Sequence, residues 1–145
     1  ENWRGRKRTL GNSESHPDSA NGGVIAIQNH ILGVQLLAPA FARMQIRPRL
    51  LGLDYAKGTV PTQRGPVTVH WRRDAGRVSM AIGLPPNTVA TVHVPTPDPA
   101  AVMESGRPAG QSRGVKFLGA EHSAAVYEIG SGHYTFEAPL HSPLP

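Results

Sequence analysis

Apolar and polar side chains alternate along much of the chain after residue 42, as they do in strands with one buried face. The stretch Val67-Thr-Val-His-Trp71 places its valines and Trp71 on one face and puts His70 on the other. Residues 78–84 alternate in the same way, and Arg73-Asp-Ala-Gly-Arg77 between the two stretches contains a glycine and other turn formers. The pattern therefore predicts a β-hairpin in the middle of the chain.

Further short strands are predicted at the spacing that is typical of a sandwich. They cover residues 43–47, 88–94, 102–108, 115–118, 124–129 and 133–137. Gly130-Ser-Gly132 is predicted to be the turn of a hairpin between the last two. About seven or eight strands without crossover helices predict an all-β fold, an antiparallel β-sandwich.

One earlier stretch has the periodicity of a helix. Between residues 24 and 37, apolar side chains recur at steps of three and four: Val24, Ile27, Ile31 and Val34. Asn21 is a candidate N-cap, Gly33 weakens the helix, and Pro39 limits its extension. We therefore expect one amphipathic helix of about three turns, preceded by a polar loop over residues 1–23.

Composition is compatible with one globular domain. The chain has 145 residues, of which 39% are hydrophobic and 17% charged, and its 16 glycines and 14 prolines favour turns and short strands. The lack of cysteine excludes disulfides, thiolate nucleophiles and Cys-ligated zinc. No apolar run is long enough to span a membrane, and the N-terminus does not have the pattern of a signal peptide. Because it also has no initiating Met, we expect a piece of a longer protein.

The formal net charge of +5 raises the possibility of a nucleic-acid partner. Only Arg4, Arg6, Lys7 and Arg8 form a cluster, whereas the other basic residues are dispersed. No helix-turn-helix, zinc-finger or RNA-recognition pattern accompanies them. We therefore interpret the charge as solvated surface and expect no nucleic-acid partner, with a basic nucleic-acid-binding module kept as an alternative.

The seven histidines do not have the spacing of metal ligands, so we predict neither a metal nor a cofactor. His70 and His93 occupy outward positions of predicted strands, which favours exposed side chains, and His122 is predicted to lie in a turn. Nucleophile-elbow, phosphate-loop and dinucleotide fingerprints are absent from the sequence. Composition and spacing alone indicate an interaction sandwich whose partner is unknown.

The order of several motifs resembles the C-terminal part of bacterial α-L-rhamnosidases. The string Arg-Pro-Arg-Leu-Leu-Gly-Leu-Asp-Tyr-Ala-Lys-Gly-Thr-Val-Pro-Thr-Gln-Arg-Gly-Pro-Val-Thr-Val-His-Trp, residues 47–71, resembles the junction between their helical catalytic barrel and their C-terminal sandwich. Residues 31–41 are similar to the last barrel helix and its exit loop. Residues 84–95, 104–106 and 128–136 are similar to later strands. The resemblance implies that residues 1–42 are the end of an α/α barrel and that residues 43–145 are the C-terminal β-sandwich.

The same resemblance implies an inverting glycoside hydrolase, in which one carboxylic acid protonates the leaving group and a second carboxylate activates water. Glu1-Asn-Trp3 matches the tail of a Trp-Glu-x-Trp motif, which implies that Glu1 is the general base and that Trp3 contacts substrate. Ser15-His-Pro-Asp-Ser-Ala20 resembles a Ser-His-x-Trp-Ser-Ala loop, which implies that His16 contacts the sugar. Asp18 replaces the tryptophan of that loop, so one aromatic wall of the sugar site is missing.

These observations lead us to expect a C-terminal fragment of an α-L-rhamnosidase-like enzyme, with the sandwich as an accessory domain. The general acid and most of the barrel are missing from the chain, so we expect no activity from it alone. The expected partners are the missing barrel, upstream or on a separate chain, and rhamnose-containing glycosides. A carbohydrate-binding sandwich is the alternative, against which the inward position of Trp71 argues.

Overall fold

A computed structural model describes residues 17–140, with side chains from residue 22 onward. Eleven strands follow a short helical segment, and their bounds are β1 (Val34–Leu36), β2 (Arg43–Ile46), β3 (Tyr55–Val60), β4 (Val67–Asp74), β5 (Arg77–Leu84), β6 (Val89–Pro95), β7 (Met103–Glu104), β8 (Arg107–Pro108), β9 (Val115–Glu121), β10 (Ala124–Ile129) and β11 (Gly132–Pro139). They form a five-stranded sheet in the order β1-β2-β6-β10-β9 and a six-stranded sheet in the order β3-β4-β5-β11-β7-β8. The predicted all-β sandwich is thus confirmed. One pair, β2 with β6, is parallel, and the others are antiparallel.

The central hairpin follows from the alternation of its residues. In β4 the valines and Trp71 are buried while His70 is exposed, and β5 buries its alternate apolar residues in the same way. Asp74 pairs with Arg77, so the turn consists of Ala75 and Gly76, both with positive φ. Such a turn matches the twist of the two strands. The predicted hairpin is therefore confirmed.

The core lies between the two sheets. Its largest fully buried side chains come from both of them: Trp71, Met80 and Phe136 from the second sheet, and Met44, Tyr127 and Ile129 from the first. The rings of Tyr127 and Phe136 meet across the interface with centroids 5.5 Å apart. The interlocked apolar faces hold the sheets together because their burial removes a large apolar area from water.

The helical segment differs from its prediction at both ends. Helix α1 covers Pro17–Ala26, a π-helical segment continues it over Ile27–Leu32, and Gly33 ends it with a φ of 76°. Asn21 therefore lies inside the helix rather than capping it. Val34, which is in phase with the helical pattern, is instead a buried residue of β1. A left-handed glycine at this position stops the helix and redirects the chain.

The predicted hairpin at Gly130-Ser-Gly132 is wrong. Strand β10 pairs with β6 and β9 in the first sheet, whereas β11 pairs with β5 and β7 in the second. The two residues between them carry the chain from one sheet to the other. Strand β11 is predicted from its alternation and strand β10 from its apolar run, because β10 is buried on both faces. Neither pattern says which sheet a strand joins.

Strands β1 and β3 were not predicted. They are the edge strands on the same side of the sandwich, and the π-helical segment packs against both. The predicted division at residues 42 and 43 stays a prediction; β1 lies before it and pairs with β2. Among the described residues, no helix is long and apolar enough to cross a membrane.

Candidate functional site

The residues implied as catalytic or sugar-binding cannot be placed on the fold. Glu1, Trp3 and His16 lie outside the described residues, and so does the basic cluster near the N-terminus. Their roles stay predictions. Trp71, by contrast, is fully buried, and its indole Nε1–H donates a hydrogen bond to the carbonyl oxygen of Ile31 at 2.8 Å. It is a core residue, as its strand position predicts, and offers no exposed surface to a sugar.

The end of the helical segment is fixed firmly to the sandwich. Leu32 packs so tightly over Gly58 of β3 that one of its methyl carbons lies 2.4 Å from where a Cβ on Gly58 would be. The amide of Arg49 donates a hydrogen bond to the carbonyl oxygen of His30 at 2.9 Å. These contacts, with the Trp71 bond, hold the segment against the open side of the sandwich, between the two edge strands.

The remainder of the helix exposes apolar side chains. Val24, Ile25 and Ile27 are 65%, 55% and 52% exposed, and we call these three residues the helix patch. Leu51 and Leu53, on the loop that follows Arg49, are also exposed. A cluster of large apolar side chains that no part of the described chain covers is typical of a surface that binds another protein or domain.

A second surface lies on the outer face of the six-stranded sheet. Register places Tyr55 opposite Arg72 and Lys57 opposite His70, so these four exposed side chains form a two-by-two block on β3 and β4. We call these four residues the basic block. Directly opposed residues have their Cβ atoms about 5 Å apart, so one small ligand can reach all four.

The basic block borders a shallow trough. A depression of about 970 Å³ is lined by Tyr55, His70 and Arg72, among others. A second one of about 380 Å³ continues from His70 and Lys57 across β5 towards β11. The two depressions adjoin at His70, which lines both, and the second crosses four strands. We call the two together the trough.

Small residues on β5 form the floor of this trough. Ala81 lies between His70 and Thr135, and Gly83 lies between Thr68 and His133. A Cβ on Gly83 would come within 2.4 Å of the Thr68 hydroxyl and 3.1 Å of the His133 ring. Gly83 keeps the floor low because it has no side chain, and a larger residue there would contact Thr68 and His133 too closely.

The alternation that predicts exposed histidines is right for His70 and wrong for His93. His93 lies on the face of β6 that points away from the core, but it is only 4% exposed. Its Nε2 is 2.9 Å from the side-chain nitrogen of Gln45, and Val126 of β10 is its direct neighbour. Burial, followed by the nearby Arg47 guanidinium, lowers the pKa of His93 below its ordinary value of 6.5, against an upward effect of Glu121.

The basic block was missed because the pattern of β3 is weak. Its inward positions carry Ala56 and Gly58 instead of large apolar residues, so the strand has little hydrophobic alternation. The sequence signal for this strand is the spacing of its outward residues, since Tyr55, Lys57 and Thr59 occupy every second position. In the described part of the chain, no group of three or more His, Cys, Asp or Glu side chains is arranged to hold a metal ion.

Comparison with known proteins establishes the family. Residues 33–108 match the sequence profile of the bacterial alpha-L-rhamnosidase C-terminal domain. The chain belongs to this family. It is 32% identical over 108 residues to an alpha-L-rhamnosidase of Streptomyces avermitilis, an alignment that covers 74% of the chain and 10% of that protein.

Solved structures agree with this family assignment. The crystal structure of the Streptomyces avermitilis alpha-L-rhamnosidase complexed with L-rhamnose matches with a TM-score of 0.69 and 28% identity, over 77% of this chain and 10% of that one. The structure of the alpha-L-rhamnosidase from Dictyoglumus thermophilum matches with a TM-score of 0.70 and 27% identity, over 90% of this chain and 15% of that one. The Aspergillus terreus alpha-L-rhamnosidase shares the fold, with a TM-score of 0.58, 20% identity and coverage of 78% and 10%.

The chain thus spans about a tenth of the length of the curated relative that it matches. The rhamnosidase C-terminal domain is one part of a much longer chain in the relatives.

Proposed function

We propose that this chain is the C-terminal domain of an α-L-rhamnosidase-like glycoside hydrolase and that it stabilises the catalytic part without performing catalysis. The observation that supports the accessory role is the helix patch. Val24, Ile25 and Ile27 expose apolar surface on a helix whose far end is anchored to the core by Leu32 and by the Trp71 bond. A rigidly held apolar surface can bury itself against a second domain at little entropic cost.

The length of the relatives supports the same proposal. Some nine tenths of the curated relative lies outside the matched region, so it contains ample structure to cover an apolar surface of this kind. Burying an Ile or Val side chain contributes about 1.5–3 kcal/mol, so three such residues form a substantial contact. In this proposal the division of the chain near residue 42 separates the helical end of the barrel from the sandwich.

A chimera tests the proposal. The Streptomyces avermitilis α-L-rhamnosidase would be truncated to remove its matching region, and this chain would be fused in its place. The half-life of rhamnosidase activity at raised temperature is measured for the truncated enzyme and for the chimera. We expect the chimera to remain active several-fold longer, because the fused domain covers apolar surface on the catalytic part.

Two variants of the chimera test whether its longer half-life depends on the helix patch. Ile27→Ser should shorten the half-life towards that of the truncated enzyme. Leu118→Ser is the matched control, because Leu118 is 47% exposed, close to the 52% of Ile27, but lies on β9 at the opposite side of the sandwich. Equal half-lives for the truncated enzyme and the chimera would contradict the accessory role, and equal losses in both variants would contradict the helix patch as its site.

A further inference from the structure

The basic block combines an aromatic ring with positive charge. Tyr55 is 66% exposed and lies opposite Arg72, while Lys57 lies opposite His70. Lys57 and Tyr55 are two residues apart on one strand, and His70 and Arg72 are two residues apart on the next. All four side chains leave the same face of the sheet because side chains alternate along a strand.

The two permanent cations of the block lack an ionic partner within the described residues. The three ion pairs found there join Arg43 to Glu128, Arg73 to Asp54 and Arg77 to Glu137. Two carboxylates, Asp54 and Asp74, line the depression beside Arg72 as well. Asp54 is paired with Arg73, and Asp74 lies directly opposite Arg77 on β5. The charge of Lys57 and Arg72 is therefore available to an anionic ligand.

The shape of the trough suits a chain of linked rings. It crosses β3, β4, β5 and β11, which at a strand spacing of about 4.8 Å extends over about 14 Å. Hydroxyl and imidazole groups of Thr68, His133 and Thr135 line its far end and can donate or accept hydrogen bonds. The ligand that fits is elongated, rich in hydroxyl groups and negatively charged.

We propose that the trough binds a carboxylated oligosaccharide, with a uronate carboxylate on Lys57 and Arg72 and a sugar ring on Tyr55. A guanidinium binds a carboxylate through two parallel hydrogen bonds, which makes Arg72 the main charge contact. Tyr55 presents an apolar ring with a polar end, which matches the mixed surface of a sugar. This site is separate from the helix patch, so it does not depend on the accessory role.

Single-stranded nucleic acid is a less suitable ligand for this surface. Its binding sites combine a positive groove with several aromatic platforms on which successive bases stack. The trough has the exposed ring of Tyr55 at one end and the His133 imidazole and the partly buried Tyr134 at the other, so its described lining does not form a row of large exposed aromatic rings. Its hydroxyl-rich lining favours the oligosaccharide.

Nuclear magnetic resonance titration of the 145-residue chain tests the proposal. The probe is hexagalacturonate, and the matched control ligand is the same oligosaccharide with every carboxylate methylated to a neutral ester. We expect the acid to shift the backbone amide signals of Lys57, His70 and Gly83 in a saturable manner. We expect the ester to bind at least about tenfold more weakly, which corresponds to about 1.4 kcal/mol.

Two variants locate the charge contact. Arg72→Gln should weaken binding of the acid about tenfold, whereas Arg107→Gln, an exposed cation on β8, should change it less than about twofold. Tyr55→Ala should weaken binding of both acid and ester, because it removes the stacking surface rather than a charge.

Several results would overturn the proposal. The first two are equal affinity for the acid and the ester, and the same loss of affinity in Arg72→Gln and Arg107→Gln. The others are amide shifts confined to strands outside the trough, and no saturable binding of the acid. Tighter binding of a single-stranded oligonucleotide at the same amides, with loss in Arg72→Gln, would instead assign the surface to nucleic acid.

Discussion

Gly33 joins the helical segment to β1, and both its backbone angle and its surroundings exclude a larger side chain. Its φ is 76°, and a Cβ there would lie 2.1 Å from the carbonyl carbon of Arg47. Gly76 has nearly the same φ, 74°, but a Cβ on it would have nothing within 4 Å. The two glycines therefore separate the cost of a left-handed conformation from the cost of a steric clash.

We predict that Gly33→Ala destabilises the chain more than Gly76→Ala. An alanine in the left-handed region costs about 1–2 kcal/mol, which is the whole effect expected at Gly76. At Gly33 the neighbour is backbone, which cannot move aside easily, so a further loss of about 1–3 kcal/mol is expected. Urea unfolding of the three proteins measures the difference. Equal losses of unfolding free energy in the two variants would mean that the backbone at Arg47 moves to accommodate the methyl group without a cost in stability.

His93 gives the chain a dependence on pH. The side-chain nitrogen of Gln45 lies 2.9 Å from Nε2 of His93, and a neutral ring can accept the hydrogen bond that this amide group donates. The other ring nitrogen, Nδ1, is buried without a hydrogen-bond partner. Protonation would place a charge in this buried position beside Arg47, which is why the pKa of His93 is lowered.

We predict that acidification weakens the fold through His93. Because its folded pKa is below the unfolded value of 6.5, the unfolded state binds the proton more readily, and the free energy of unfolding falls as the pH drops through 6.5. Above that pH both states are neutral at this residue and the effect vanishes. Urea unfolding at about pH 7.5 and about pH 5.5 should show a smaller loss in His93→Gln than in the wild type. The control is His70→Gln, at an exposed position, which should lose as much unfolding free energy on acidification as the wild type. If His93→Gln also loses as much as the wild type, His93 is not responsible for the pH dependence.

At the scale of elements, the sequence predicts best the strands that bury large alternating residues. Strands β4 and β5 are such cases, since their inward positions carry Trp71, Met80 and other large side chains. Strand β3 escapes prediction because Leu32, from a distant element, fills the space above Gly58 that a side chain of β3 would otherwise fill. Tertiary packing of this kind is not visible in the local pattern.

The candidate site shows the same limit. The polar residues of β4 were placed correctly, with His70 exposed, but the block they form with Tyr55 and Lys57 depends on pairing with β3. His93 occupies an outward position as predicted, yet Gln45 and Val126 from neighbouring strands bury it. Side chains from neighbouring strands decide whether a residue on an outer face is exposed. The periodicity of one strand does not predict these neighbours.

Leu32 is the buried apolar anchor of the π-helical segment, and the partly buried Ile31 packs against the core beside it. We predict that Leu32→Ala costs about 2–3 kcal/mol, since a buried leucine leaves a cavity when it is truncated. Leu37→Ala is the control, because Leu37 is 58% exposed and exposed positions usually change stability by less than about 0.5 kcal/mol. Urea unfolding gives both values. Should Leu32→Ala cost no more than Leu37→Ala, the helical segment would be held by its hydrogen bonds rather than by packing over Gly58.

At the scale of the whole molecule, the two open sides of the sandwich are closed in different ways. The π-helical segment covers the side between β1 and β3, where its Leu32 packs over Gly58 and its Ile31 carbonyl oxygen accepts the hydrogen bond from Trp71. At the other side, the short helical turn Ala109–Gln111 contacts the edge strand β9. Nearby, the Tyr127 hydroxyl donates a hydrogen bond to the carbonyl oxygen of Pro99 at 3.3 Å. The first closure leaves the helix patch exposed, and this is the surface that we propose contacts the catalytic part.

We do not expect hydrolytic activity from this chain by itself. Inverting glycoside hydrolysis needs two carboxyl groups about 6.5–9.5 Å apart on opposite sides of the scissile bond. The family resemblance supplies one candidate, Glu1, and the matched relative is about ten times longer than the aligned region.

We therefore predict that the pure chain does not hydrolyse 4-nitrophenyl α-L-rhamnoside above the rate without protein. The measurement is release of 4-nitrophenol, with the Streptomyces avermitilis enzyme as the positive control. Saturable release by the chain that disappears in Glu1→Gln would contradict the prediction and would assign a working general base to Glu1. Release that persists in Glu1→Gln would also contradict it, but would place the catalytic carboxylates elsewhere in the chain. Because either result needs a second carboxyl group near the first, it would be followed by substitution of the remaining acidic residues one at a time.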